Sequence, residues 1–312
     1  MNPPLRRTVT SRPEAELSAM LGGDGCFIDY GTCVVRLRAR GVPFASVLRR
    51  VYGAFRLAES ADFADFHVEL LPGKGVRRWL RPTARFRIDG VEPFEPFPRA
   101  SALPLFEWGV NWCFGQRFNQ HVLLHAGTLA LGDRAVVMPA VPGSGKSTLS
   151  AAMMLSGFRL LSDEFGVLDP ETGHLLPMLK PVALKNRSID VIRAFSEQAI
   201  LGPVFPETRK GDVAHLAPDD ASAAAVHSPA RPALVIFPKY VEGASLELTP
   251  QPKEQAFARL AFNSFNYALL GPVSFHAVAD LADACPAYAL RYSRLDEAIA
   301  CIRDLLDDGG GA

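Results

Sequence analysis

Apolar and polar positions follow two periods along this chain, and where one gives way to the other the elements can be read. Gly25 to Ala39, with Val34, Val35 and Leu37, predicts two strands. Phe44 to Phe55 spaces Val47, Leu48, Val51 and Phe55 along one helix face. Phe66, Val68 and Leu70 alternate over Asp65 to Leu71. Phe86 and Ile88 repeat the alternation over Arg85 to Val91, where Asp89-Gly90 predicts a tight turn. Residues 1–24 show no period and read as a loosely held terminus. These elements make a small α+β module over residues 1–100, bounded by prolines at 93, 96, 98 and 104.

Residues 101–312 form the second unit. Leu103 to Phe118 predicts a packing helix, with Leu103, Phe106, Val110, Cys113 and Phe114 on one face and Trp108 and Trp112 beside it. His121–Leu131 and Arg134–Pro139 read as two strands joined by the tight turn Gly132-Asp133. Lys146 to Ser156 follows as a helix, with Gly157 at the position of a C-terminal cap. Phe158–Leu161, Phe165–Leu168 and His174–Met178 are β-runs, the last two separated by a turn at Asp169–Gly173. Pro218 to Arg231 reads as linker, Ala233–Tyr240 as a buried strand, and Gln255 to Leu270 as one helix bearing Phe257, Leu260, Ala261 and Phe265. Leu295–Leu306 is a final amphipathic helix with Leu295, Ile299, Ile302 and Leu306 inward. So many hairpins predict an α/β fold of α+β character with a mixed sheet, not a steady βαβ alternation.

Between the hairpin and its helix stands Ala140-Val-Pro-Gly-Ser-Gly-Lys-Ser147, followed by Thr148. It fits the phosphate-binding P-loop, with Ala140 where the first glycine usually stands. Gly143 and Gly145 let the backbone curl, so that the N–H groups from Gly143 through Ser144 to Thr148 turn into one anion-sized hollow. Lys146 supplies a point charge for the outer phosphates, and the Ser147 hydroxyl can complete a Mg²⁺ shell. The implied ligand is a nucleoside triphosphate.

Phosphoryl transfer also needs a carboxylate to take the acceptor proton and others on the metal side. Asp163 and Glu164, at the end of the strand after the loop helix, are the candidates; as neighbours on a strand they point apart. His125 lies mid-strand in an apolar run and reads either as a core histidine or as a site group. Lys180, Lys185, Asn186 and Arg187 form a basic cluster, available to transferred phosphoryl oxygens or simply a solvated face. Arg209, Lys210 and Gly211 lie in a segment rich in Pro and Gly that reads as a mobile basic lid or as ordinary surface. Lys239 is a weaker phosphate candidate. Asn263, Asn266 and Tyr267 either reach an acceptor or edge a packing helix.

The chain has 33 basic and 33 acidic side chains, so bulk charge argues for neither nucleic acid nor an anionic membrane as partner. No apolar run approaches the roughly 20 residues of a membrane span, and no signal-peptide core opens the chain; the expected location is cytoplasmic. Five cysteines without CxxC spacing predict buried free thiols.

The run LLHAGTLALGDRAVVMPAVPGSGKSTLSAAMMLSGFRLLSDEFGVL, Leu123 to Leu168, resembles the catalytic core of the HPr serine kinase/phosphorylase fold. EWGVNWCFG (Glu107–Gly115), KPVALKNRSI (Lys180–Ile189), ETRKGDVAHLAP (Glu207–Pro218), IFPKY (Ile236–Tyr240) and NSFNYALLG (Asn263–Gly271) are similar to the branch called HprK-related kinases. The resemblance implies an HPr kinase/PEP carboxykinase-like P-loop core that uses ATP and Mg²⁺. It implies Asp163 as general base, Glu164 as the metal-side acid and His125 as a site histidine. The implied acceptor is Ser or Thr of a small protein or peptide; a free small molecule, or nucleotide binding without efficient transfer, are the alternatives. Relatives of this type assemble into rings, which leaves a homo-oligomer open. The chain departs from true HPr kinases in lacking their Glu-x-Arg-Gly signature and in its N-terminal module, so neither HPr as acceptor nor phosphate removal carries over.

Overall fold

The computed structural model describes residues 7–58, 63–75, 80–139, 141 and 143–308. Ten α-helices and three sheets among them make a mixed α/β protein. The first sheet follows the period-two segments: β1 (Cys26–Asp29), β2 (Val34–Ala39), β3 (Phe66–Pro72), β4 (Thr83–Ile88) and β5 (Phe97–Pro98), in that spatial order. β2 and β4 alternate buried and half-exposed residues, as a sheet with one covered face requires. Helices α1 (Glu14–Gly22) and α2 (Ala45–Val51) accompany this sheet. α1 corrects the expectation of a loose terminus for residues 7–24, since Leu17 and Leu21, one turn apart, are buried and hold it down; residues 1–6 lie outside the described residues.

Helix α3 (Ala102–Arg117) joins this sheet to the rest of the molecule. Phe106 packs edge-on to Phe44, while Phe114 meets Phe66 on one side and Phe165 on the other. The hydrophobic core is accordingly continuous from residues 1–100 into the remainder.

The central sheet has eight strands. β6 (Val122–Leu131) and β7 (Arg134–Pro139) form the expected hairpin. β8 (Arg159–Ser162), β9 (Phe165–Leu168) and β10 (Leu175–Leu176) lie on the other side of β6. Beyond them in the chain, β11 (Val182–Lys185), β12 (Phe205–Thr208) and β13 (Gly211–Leu216) form a separate small antiparallel sheet. β14 (Arg231–Tyr240) then runs parallel to β7, β16 (Ala287–Tyr292) parallel to β14, and β15 (Glu247–Pro250) antiparallel to β16.

One face of this sheet buries α4 (Lys146–Leu155) and α10 (Leu295–Asp308), the other α7 (Lys253–Phe262) and α9 (Pro272–Ala284); α5 (Arg187–Phe195), α6 (Asp220–Ala224) and α8 (Tyr267–Leu270) complete the set. Gly157 closes α4 as expected. Its N–H and that of Phe158 bond to Met154 and Met153 carbonyls, and its φ of 92° suits glycine. Among the described residues no helix is long and apolar enough to cross a membrane.

Three expectations are corrected. The basic lid segment is a β-hairpin, β12–β13, with Arg209 and Lys210 at its tip; Gly211 is required there because a side chain would start 2.2 Å from Asn186 Oδ1. Pro218–Arg231 contains α6, capped by the Asp219 carboxylate accepting from Ser222 N. The single helix over Gln255–Leu270 breaks at Asn263, because the edge of β6 beyond its pairing with β7 needs backbone partners. His125 N donates to Asn263 O and Phe265 N to Leu123 O, while the buried Asn266 side chain accepts from Leu123 N and donates to His121 O. Asn266 is therefore a strut of the sheet. The cysteines are free, and burial pushes Cys26, Cys113 and Cys285 up to about 12.

Two stability outcomes follow from the packing. A methyl on Gly109 of α3 would fall 2.1 Å from the buried Phe86 ring. Gly109→Ala should therefore destabilise by about 1–3 kcal/mol in urea unfolding, and Phe86→Leu in the same chain should recover part of the loss. His215 of β13 is buried and its Nδ1 has no hydrogen-bond partner among the described residues; burial pushes its pKa below the ordinary histidine value of about 6.5. The unfolded chain then binds the extra proton first, so stability falls as pH drops below about 6.5, down to the lowered folded value. Urea midpoints at about pH 7 and 5.5 should separate more in the parent than in His215→Gln.

Candidate functional site

The register of β6 assembles the site. Along one edge Ala126 and Gly127 pair with Pro139 and Met138, the last residues before the phosphate loop. Along the other edge Thr128 pairs with Ser162 and His125 with Phe165. Asp163 and Glu164 occupy the step between, opposite Gly127 and Ala126, where the ladder is interrupted. The acids thus stand level with the end of β7, across one strand from it.

Ala140 and Pro142 of the motif lie outside the described residues; Val141 and Gly143 onward are described. Gly143 and Gly145 have φ of 85° and 90°, the left-handed region that the curl requires. Gly145 caps α4, and its carbonyl accepts from Leu149 N. Two tyrosines that the sequence reading did not single out for chemistry brace the loop. Tyr240 N donates to Ser144 O at 2.8 Å, and Tyr292 Oη donates to Gly145 O at 3.3 Å. A side chain on Gly145 would start 2.8 Å from Tyr292 Oη and 2.9 Å from Tyr240 Cβ, so the brace excludes any other residue there. Ser144 Oγ is buried with no partner among the described residues, while Ser147 and Thr148 are half-buried in the first turn of α4.

Lys146 turns from the loop helix to the acids. Its Nζ donates to the Asp163 carbonyl and lies 3.3 Å from Asp163 Oδ1. Both residues are almost wholly buried, at 8 % and 4 % exposure. Glu164 turns instead to His125, with Oε1 3.7 Å from Nε2. The neighbouring acids therefore have different partners, Lys146 for Asp163 and His125 for Glu164. Burial holds the His125 pKa below the ordinary range, with Lys146 and Lys185 adding to the shift and Glu164 opposing it. At neutral pH it is a neutral imidazole.

Of the basic candidates, Lys185 lies within electrostatic reach of Glu164, Asp163 and Lys146, and Lys210, exposed at the hairpin tip, acts on Lys185. Partial withdrawal from water lowers the Lys185 pKa, the Lys210 charge lowers it further, and Glu164 and Asp163 oppose the shift. Arg187 pairs instead with exposed Glu242 at 3.2 Å, and the Arg209 guanidinium lies over the Trp108 ring at 5.7 Å. Lys180 is withdrawn from the surface altogether: its Nζ is 2.9 Å from buried Glu107 Oε2 and donates to Asn111. Among the described residues no group of three or more His, Cys, Asp or Glu side chains is placed to hold a metal ion by itself.

Phe265 and Gly127 also belong to the site. The Phe265 ring centroid is 5.3 Å from that of His125 and 4.8 Å from that of Phe165, so it walls the acid side. Gly127 is the close-approach point of β6 to α4: a methyl there would meet Ser150 Oγ at 2.7 Å and the Lys146 stem at 3.6 Å. The sequence signal for Gly127 was a glycine inside an apolar strand, which marks a bulge or a close approach.

Gly127→Ala should lower stability by urea unfolding, and Ser150→Ala, which removes a buried hydroxyl with no partner among the described residues, should relieve it. The double-mutant coupling should be about 0.5–3 kcal/mol in favour of the pair.

No protein-family model matches the chain, and no curated protein matches it.

Proposed function

We propose that the protein is an ATP- and Mg²⁺-dependent kinase that moves the γ-phosphoryl group to a hydroxyl, that of Ser or Thr in a small protein or peptide. The observation that carries this is the direct contact of the phosphate-loop lysine with a buried carboxylate, Lys146 Nζ to Asp163 at 3.3 Å. A lysine that reaches the outer phosphates and an acid that reaches that lysine leave the acid beside the phosphorus to be transferred. The resemblance of Leu123–Leu168 to the HPr kinase core points the same way.

In this reading the loop amides from Gly143 to Thr148 and Lys146 hold the triphosphate. Asp163 accepts the acceptor hydroxyl's proton as its oxygen bonds to the γ-phosphorus and the bond to the ADP oxygen breaks. Lys185 and Lys210 face the charge that spreads over the phosphoryl oxygens. Neutral His125 orients Glu164. The oxygen donors Ser147 and Glu164 suit Mg²⁺, which takes few protein ligands and completes its shell with phosphate and water. When bound, the ion neutralises charge on the phosphates.

The surface beside the acids favours a polypeptide acceptor over a free small molecule. From Leu260 to Ala279 the chain carries no Asp, Glu, Lys or Arg. It exposes Phe262, Phe265, Leu269, Val273 and Phe275, of which Phe265 adjoins His125. An uncharged apolar face extending from a reaction centre suits a protein surface.

Asp163→Asn should keep ATP binding and lose about 10²–10⁴-fold in transfer, measured with γ-labelled ATP and a lysate divided by molecular weight. Lys146→Ala should weaken ATP binding itself. Transfer at the parent rate by Asp163→Asn overturns the base assignment, and label confined to the small-molecule fraction overturns the acceptor class.

A further inference from the structure

We propose that Tyr240 is the nucleobase platform of the phosphate loop: the base of the bound nucleoside triphosphate stacks on its exposed ring. The proposal rests on the reading of residues 140–148 as a triphosphate site and adds where the nucleoside lies.

Direction comes first. Lys146, Asp163, Lys185 and His125 gather on the side of the loop next to β6 and β8. The attacking oxygen, the phosphorus and the leaving oxygen lie roughly in line, so the nucleoside leaves the loop away from Asp163. Across the sheet that side is the end of β14.

The topology makes the same crevice. β7 and β14 are adjacent and parallel, and both run toward the loop. The chain after β7 enters α4 on one face of the sheet, while the chain after β14 reaches α7 and α9 on the other. Ligands of open α/β sheets bind outside the carboxyl ends of strands at such a divergence.

The residue at that carboxyl end is aromatic, exposed and held. Tyr240 is 41 % exposed. Its backbone N–H is bonded to Ser144 O, and its Cβ abuts Gly145. Its ring packs against Tyr292 with centroids 5.9 Å apart and planes at 73°, and Tyr292 is itself buried and bonded to Gly145 O. Arg187, paired with Glu242 two residues beyond Tyr240, brings the start of α5 to the same end of the crevice. An aromatic ring held on one side and open on the other is a stacking surface for any base.

The test compares Mg²⁺-ATP with Mg²⁺-tripolyphosphate, which lacks a base, by titration calorimetry on the full chain. Tyr240→Ala should weaken ATP about tenfold or more and leave tripolyphosphate within about twofold. Tyr240→Phe, which keeps the ring, should hold ATP within about threefold of the parent. Unchanged ATP affinity in Tyr240→Ala, with tripolyphosphate still bound, overturns the platform and leaves the phosphate-loop reading standing. Equal weakening of both ligands also overturns it, since Tyr240 would then act by shaping the loop. A parent protein that binds neither ligand overturns the phosphate-loop reading and the platform with it.

Discussion

Strand β6 is hydrogen-bonded along both edges, and His125, the two acids and the strand end before the glycine loop take their positions from that register. On one side it pairs first with the segment Asn263–Asn266 and then with β7; on the other it pairs with β9 and then β8. A slip of one residue would turn His125 and Gly127 to the opposite face. Gly127 would then no longer admit α4, and the acids opposite it would lose their level with the phosphate loop. The small residue at 127 and the buried Asn266 strut, which bonds both Leu123 N and His121 O, make such a slip costly at two separate points.

Two buried ion pairs in this molecule have opposite characters. Glu107 and Lys180 are saturated: Tyr52 donates to the Glu107 carboxylate, Tyr30 packs and bonds behind it, and Lys180 reaches Glu107, its carbonyl and Asn111. That pair ties helix α3 to the segment before β11, and its full set of partners offsets desolvation. Among the described residues Lys146 has two acceptors, both on Asp163, and it sits beside an exposed glycine loop. The first pair resists exchange and reads as architecture. The second pair has fewer partners, which suits the exchange of anions that the proposed phosphate binding requires of its lysine.

Much of this fold is legible in the sequence because its elements obey local rules. The β6–β7 hairpin shows in its Gly132-Asp133 turn, α4 in its glycine cap, and β3 and β4 in their alternation. What was not legible depends on distant partners. The helix expected over Gln255–Leu270 breaks because a strand edge more than a hundred residues earlier needs donors and acceptors, and no local pattern records that demand. Lys180 looked like its neighbour Lys185 because charge alone does not tell a buried lysine from a cleft lysine; the difference lies in Glu107. Tyr240 reads as a strand residue and the strand of Tyr292 shows no clear period, and only the parallel pairing of β14 with β7 and β16 brings both to the loop. The site motifs were local and visible; the braces around them were not.

The candidate site is asymmetric, and the asymmetry bears on its chemistry. On the acid side, Phe265 covers His125 and continues into an uncharged surface, so water is partly displaced where Asp163 and Glu164 stand. Low local dielectric strengthens the field of buried Lys146 there, although the chain as a whole carries 33 charges of each sign. On the loop side the braces are neutral: two tyrosines and backbone amides, which would not compete for the charge of a bound anion. A site for phosphoryl transfer needs this division, since the group that moves must meet cations and a base at one end while the rest of the molecule is held still at the other. Net charge is silent on such a site because the useful charges are few, partly buried and opposed at short range.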